Sequence, residues 1–138
     1  MRATPTGSVP FVEIVAALFA EGIDFRQVAG PSTRIDITGA SFSTSVPSYP
    51  AHLEPHLVVL VRAPVGTDGN ATLETVFRRD GEEIGRNRQA FFVEPGKFGY
   101  RLVKGDLEFP APGTIEACCT IEGNVSSVTV PLTALPLP

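Results

Sequence analysis

The sequence predicts an all-β protein that folds as a single antiparallel β-sandwich of about seven to nine strands. Between residues 56 and 132 the chain runs as short apolar or alternating segments, each ended by a turn signal. These segments are rich in β-branched and aromatic residues, which favour strands. The turn signals are rich in glycine, proline and aspartate, and they are Pro64–Gly69, Asp80–Gly81, Glu94–Gly96, Pro110–Gly113 and Gly123–Asn124.

Length and composition indicate one globular domain. The chain has 138 residues, of which 43% are hydrophobic and 19% are charged, and a chain of this size can bury a substantial core. We expect residues 1–8 to form a flexible tail, residues 9–133 to form the sandwich and residues 134–138 to form a short C-terminal tail. The sequence contains no internal repeat and no long linker that would divide the domain.

The opening apolar segment, Phe11 to Phe19, is compatible with two structures. Its apolar residues recur at the spacing of one helix face, with Pro10 placed for the first turn and Gly22 beyond the last. A nearly continuous apolar run is also typical of a strand that is buried on both faces. The spacing slightly favours the helix, and the pattern alone leaves both structures open.

Two later segments give clearer strand predictions. Leu57 to Val61 is an unbroken apolar run, which predicts a strand at a central position in a sheet. Asp80-Gly81 separates two alternating segments, Ala71–Arg79 and Glu82–Val93, and this dipeptide favours the tight turn of a β-hairpin.

Charge and hydropathy exclude two classes of partner. The formal net charge is -4 and the pI is about 5.1, whereas nucleic-acid binding needs clustered lysine and arginine. The apolar run from Val9 to Ala20 is interrupted by Glu13 and is too short to span a bilayer. The first residues also lack the apolar core of an export signal, so the sequence predicts a cytoplasmic location and no membrane partner.

The two cysteines, Cys118 and Cys119, are adjacent in the sequence. Neighbouring residues of a strand point to opposite faces, so these thiols are not placed to bridge each other. We expect both to be free, with Cys119 in the core and Cys118 more exposed. No base or zinc-ligand spacing accompanies them, so they predict neither a nucleophile nor a zinc site.

One group of residues has the chemistry of a metal site. His52, Glu54 and His56 alternate along the chain, and in an extended segment they share one face. Two imidazoles and one carboxylate would make an open three-ligand site, although Pro55 lies within the group. We therefore name these three residues as candidate metal ligands, and a loop that enters a strand is the alternative interpretation. The sequence predicts no catalytic residue and no cofactor, because it lacks nucleophile, phosphate-loop and dinucleotide motifs.

The order of the segments resembles an uncharacterised bacterial family of β-sandwich domains whose function is unknown. The matching pieces are Val15–Ala20, Val28–Gly30, Leu57–Val61, Arg79–Gly81 and Pro110–Ile115, and the resemblance spans roughly residues 11–132. It implies an immunoglobulin-like sandwich in which Phe11–Phe19 is a strand. The chain departs from the family pattern at Leu18-Phe19, where members carry an acidic residue. The family supplies no activity and no functional residues.

Taken together, these features predict a non-catalytic binding or interaction module that associates with protein, either another copy of itself or a different chain. Sandwich edges and end loops are the surfaces on which such modules pair with partners. Two alternatives remain: a small-ligand or metal-binding enzyme with its site near His52, Glu54 and His56, and a structural subunit of a larger assembly.

Overall fold

The structure is a computed structural model that describes residues 10–26 and 34–138, and all regular elements in them are β-strands. No helix long and apolar enough to cross a membrane occurs in these two ranges. The eleven strands are β1 (Glu13–Arg26), β2 (Arg34–Ser41), β3 (Ser43–Val46), β4 (Ala51–Leu53), β5 (His56–Arg62), β6 (Asn70–Arg79), β7 (Glu82–Phe92), β8 (Phe98–Lys104), β9 (Leu107–Phe109), β10 (Gly113–Ile121) and β11 (Ser127–Pro136).

Nine of these strands form two principal sheets, and this confirms the predicted all-β sandwich. The four-stranded sheet has the order β2-β1-β5-β8, and the five-stranded sheet has the order β3-β11-β10-β6-β7. The remaining strands, β4 and β9, form a separate two-stranded ribbon. The pairs are antiparallel except for β3, which runs parallel to β11. The five-stranded sheet is therefore mixed rather than purely antiparallel.

The core lies between the two sheets and draws apolar side chains from both of them. Leu57, Val59 and Val61 of β5 are fully buried there, opposite residues such as Leu73 and Ile115 of the second sheet. The intervening Val58 is also fully buried, although it faces away from this core. Burial on both faces explains why β5 is an unbroken apolar run, and its place between β1 and β8 confirms the predicted central position.

The opening apolar segment is a strand, so the helical interpretation of its spacing was wrong. β1 lies between β2 and β5, and its backbone pairs with both of them. Phe19 is buried in the core, whereas Leu18 faces the other way, beside Val58. Apart from Glu13, apolar residues fill every position on both faces of this segment, and such a run also contains the spacings of a helix.

The ends of the domain differ in part from the expected boundaries. The predicted flexible tail, residues 1–8, lies outside the described residues. At the other end, β11 continues to Pro136, so most of the expected C-terminal tail at 134–138 is strand instead. Ala134 is buried, and residues Thr133 to Pro136 pair with β3. This long-range pairing extends the strand beyond the point where alternation in the sequence stops.

The predicted hairpin between β6 and β7 is confirmed. Asp80 and Gly81 have φ values of 52° and 81°, and a turn with two left-handed central residues matches the twist of the flanking strands. A bulge interrupts the pairing after Phe77, where Gly85 faces Phe77 and Glu83 faces Arg78. The extra residue, Ile84, bends the β7 edge at this point.

The hairpin formed by β1 and β2 curls back over the outer face of the four-stranded sheet. Ile35 of β2 pairs with Phe25, far along β1 from Val15. Yet Ile35 and Val15 line the same cavity, together with Leu60. In a straight hairpin Ile35 would lie beside Phe25, about 33 Å along β1 from Val15, because a strand rises about 3.3 Å per residue.

Candidate functional site

The short ribbon of β4 and β9 brings together the most concentrated group of charged side chains in the described part of the chain. In this ribbon His52 lies directly opposite Glu108, and Leu53 lies opposite Leu107. Leu107 is fully buried, so the alternation along each strand turns His52 and Glu108 outward. Asp106 immediately precedes β9 and reaches the same imidazole from the other side.

Carboxylates contact both nitrogens of the His52 ring. Nδ1 lies 2.6 Å from Oε1 of Glu108, and Nε2 lies 2.8 Å from Oδ1 of Asp106. Glu54 is farther away, with its Oε1 3.6 Å from Nε2. A neutral imidazole has one donor nitrogen, whereas an imidazolium donates from both. The arrangement therefore favours the protonated ring.

The local charges shift the pKa values in directions that agree with this geometry. The hydrogen bond with Glu108 raises the pKa of His52 above its ordinary value, and the charges of Asp106 and Glu108 add to the increase while desolvation opposes it. The pKa of Glu54 is lowered, first by its hydrogen bond with Lys104, whose Nζ lies 2.6 Å from Oε2. The pKa of Lys104 is raised by the same contact.

The structure brings together only two of the three predicted metal ligands. The ligand atoms of His52, Glu54 and Asp106 all lie within 4.8 Å of one another, and all three side chains are exposed. His56 is not part of this group; it begins β5 opposite Lys104 and lines a cleft of about 320 Å³ with Phe19 and other residues. Pro55 separates Glu54 from His56, so the alternation assumed for an extended segment stops before His56.

Asp106 is the member of this group that the sequence did not identify. The signal that points to it is a repeated triplet in which two polar residues flank a leucine, at His52-Leu53-Glu54 and at Asp106-Leu107-Glu108. Each leucine packs against the core while its neighbours face outward. Only the pairing of β4 with β9 shows that the two triplets form one cluster.

The cysteines occupy the faces that alternation predicted. Cys119 is fully buried in the core, Cys118 is half-buried on the opposite face, and both are free thiols. Burial raises the pKa of Cys119 to about 11, and the hydroxyl of Thr75 donates to its sulfur at 3.9 Å. A thiol with so high a pKa is almost entirely protonated at neutral pH and is therefore a poor nucleophile.

A second surface of interest is an apolar patch on the outer face of the four-stranded sheet. We call it the β8 patch, and it consists of Val15, Leu60, Phe98, Tyr100 and Leu102. Leu57, Val59 and Val61 of β5 face the core, so Leu60 faces the outer side of the sheet. Tyr100 of β8 lies directly opposite Leu60 and faces the same side. Phe98 is 61% exposed, Val15 is 51% exposed and Leu102 is 43% exposed. Several large apolar side chains in one exposed patch are characteristic of a binding surface.

A cavity of about 180 Å³ lies within the β8 patch. Its walls are Val15, Leu60, Phe98 and Tyr100, together with Ile35 from the hairpin that curls over the sheet. The cations at the border of the patch are paired within the chain: Arg62 with Glu13 at 2.7 Å, and Lys104 with Glu54. An apolar centre with a charge-compensated border resembles the core and rim of a protein interface.

No family model matches the chain, and no curated protein matches it.

Proposed function

We propose that this chain is a non-catalytic β-sandwich module that binds another protein chain through the β8 patch. The exposure of Phe98, which is 61% exposed within the β8 patch, carries the proposal. The cavity beside it has roughly the volume of a large apolar side chain, and interface hot spots consist of such side chains inserted into apolar pockets. We also propose a cytoplasmic location, because both cysteines are free thiols, as is usual in a reducing compartment.

A photoreactive amino acid at position 98 tests this function in the living cell. We expect irradiation to link the chain to one discrete protein partner, identified by mass spectrometry of the cross-linked peptides. The matched control is position 92 in β7, because Phe92 is also 61% exposed but belongs to the five-stranded sheet. Equal cross-linking at both positions, or none at position 98, would contradict the proposed function. A series of regular higher masses would instead support the alternative of a structural subunit.

The second candidate function is the binding of a divalent cation at His52, Glu54 and Asp106. It is favoured by the convergence of one imidazole and two carboxylates within 4.8 Å. Zinc accepts nitrogen and carboxylate ligands of this kind. A metal would have to displace the proton that the neighbouring carboxylates stabilise on His52, so binding should strengthen as the pH rises.

Calorimetric titration with Zn²⁺ tests this second candidate. We expect His52→Ala to abolish binding and His56→Ala to leave it unchanged, because His56 lies outside the group. Absence of binding to the wild-type protein at pH 8, or an equal loss in both variants, would remove metal binding from consideration.

A further inference from the structure

β8 is an edge strand, and its outward backbone groups lack a partner strand. It pairs with β5 on one side, and no other strand in residues 10–26 and 34–138 pairs with its other side. The backbone carbonyl of Lys97 accepts from the amide of Ala63 next to β5. The carbonyl of Leu102 points away from β5 and accepts from Nε2 of Gln89 at 3.4 Å, a contact that pairing with another strand would replace. Because the direction of the backbone groups alternates along a strand, the amides and carbonyls of Phe98, Tyr100 and Leu102 point away from β5, beyond the edge of the sheet.

The other edges of the sandwich carry features that discourage pairing. β7 contains the bulge at Ile84, and β3 is only four residues long. β2 begins with the charged residue Arg34 and also carries Asp36, which is paired with Arg26 of β1. Bulges, short length and charges are the usual protections of an edge strand. β8 has neither a bulge in its pairing with β5 nor a proline within it.

The two charged residues of β8 are both engaged inside the chain. The guanidinium of Arg101 turns to the inner side of the strand, where its Nε donates to Gln89 at 2.6 Å and its carbon lies 5.5 Å from the ring centre of Phe91. Lys104 is paired with Glu54. On the outer face of the four-stranded sheet, β8 therefore presents the side chains of Phe98, Tyr100 and Leu102, which are apolar or aromatic.

Side-chain complementarity selects one register for antiparallel pairing of β8 with another copy of itself. Matching of the outward backbone groups allows a twofold axis at any residue of β8. An axis at Gly99 places Arg101 opposite Lys97, two like charges, and an axis at Leu102 leaves Phe98 opposite Asp106. An axis at Arg101 places two guanidinium-bearing residues directly opposite each other, which is destabilising. An axis at Tyr100 places Tyr100 opposite its counterpart, Phe98 opposite Leu102, and Arg101 opposite Gly99. Aromatic and aliphatic cross-strand pairs of this kind are stabilising.

We propose that the partner of this surface is a second copy of the chain, joined β8 to β8 in antiparallel orientation about Tyr100. This inference rests on the proposed function and names its partner. The two four-stranded sheets become one sheet of eight strands, and the two β8 patches merge across the axis. A twofold interface uses the same patch on both copies, as this register requires. The paired cations at the border leave no excess positive charge to repel the second copy.

Variants with one accessible cysteine test the register, each in a Cys118→Ser background whose remaining native cysteine, Cys119, is fully buried. We expect Tyr100→Cys to form a disulfide-linked dimer under mild oxidation, because opposed residues of a ladder are about 5.5 Å apart at Cα. Phe98→Cys and Leu102→Cys should each stay unlinked alone and should link when mixed. Phe92→Cys, on the other sheet, should give no link under the same conditions.

The outcomes separate this inference from the proposed function. If Tyr100→Cys gives no link, or if Phe98→Cys links to itself, the register is overturned. If the wild-type protein stays monomeric while position 98 photocross-links to a different protein, the proposed self-association is overturned. The proposed function as a module that binds another protein then stands. If neither self-association nor cross-linking at position 98 occurs, both proposals fail.

Discussion

Glu108 lies directly across the β4–β9 ribbon from His52, and its Oε1 is 2.6 Å from Nδ1 of the imidazole. This contact raises the pKa of His52 in the folded protein. The unfolded chain lacks the contact and keeps a value of about 6.5. The protonated ring therefore stabilises the fold fully below pH 6.5 or so, and this contribution is lost as the pH rises through the folded pKa.

The first prediction concerns the pH dependence of stability. We expect the free energy of unfolding of the wild-type protein to exceed that of His52→Gln by more at pH 5.5 than at pH 9. Urea titrations at the two pH values measure the difference. His56→Gln is the control, since His56 lies outside the cluster. A difference between wild type and His52→Gln that does not change with pH would contradict the ion-pair interpretation.

The second prediction compares two glycines that share one backbone conformation. Gly69 and Gly81 both have a φ of 81°, so alanine at either position costs about 1 kcal/mol for its left-handed conformation. A Cβ at Gly69 would lie 2.1 Å from the carbonyl oxygen of Val93, whereas a Cβ at Gly81 would meet no atom within 4 Å. Gly69→Ala should therefore lose a further 1–3 kcal/mol or so. Equal unfolding free energies for the two variants would contradict this packing.

The third prediction distinguishes the two thiols by their reactivity. We expect Cys118 to react with an aromatic disulfide reagent in the native protein at neutral pH. Cys119 should react only after unfolding, because it is fully buried and its pKa is raised to about 11. Loss of the fast phase in Cys118→Ser would confirm the assignment. Two equally fast thiols in native buffer would show that the core around β10 is open.

The sequence revealed the fold class because turn chemistry and β-branched segments are local signals. The dipeptide Asp80-Gly81 predicts its own turn, and the run Leu57–Val61 predicts its own burial. The segment Phe11–Phe19 is ambiguous in the sequence because a strand with apolar residues on both faces shows no clear period of two. The predicted end of the sandwich at residue 133 is too early, because the last residues of β11 depend on pairing with β3.

The candidate surfaces were less visible in the sequence, because both depend on which strands are neighbours. Spacing placed His52 beside Glu54, but Asp106 joins them only through the ribbon of β4 and β9. Spacing also groups His56 with His52 and Glu54, but that grouping requires a chain that is extended through Pro55. The sequence does not reveal the β8 patch either, since aromatic residues such as Phe98 and Tyr100 are typical of a core. Only the order of strands in the sheet shows that β8 is an edge.

Sedimentation equilibrium of the wild-type protein, Phe98→Asp and Phe92→Asp tests most directly whether the chain self-associates through β8. We predict a reversible wild-type dimer with twice the 14.7 kDa mass of the chain. Phe98→Asp should raise the dissociation constant about tenfold or more, and Phe92→Asp, at an equally exposed position, should leave it unchanged. A wild-type protein that stays monomeric at every concentration, or equal weakening by both variants, would contradict the proposal.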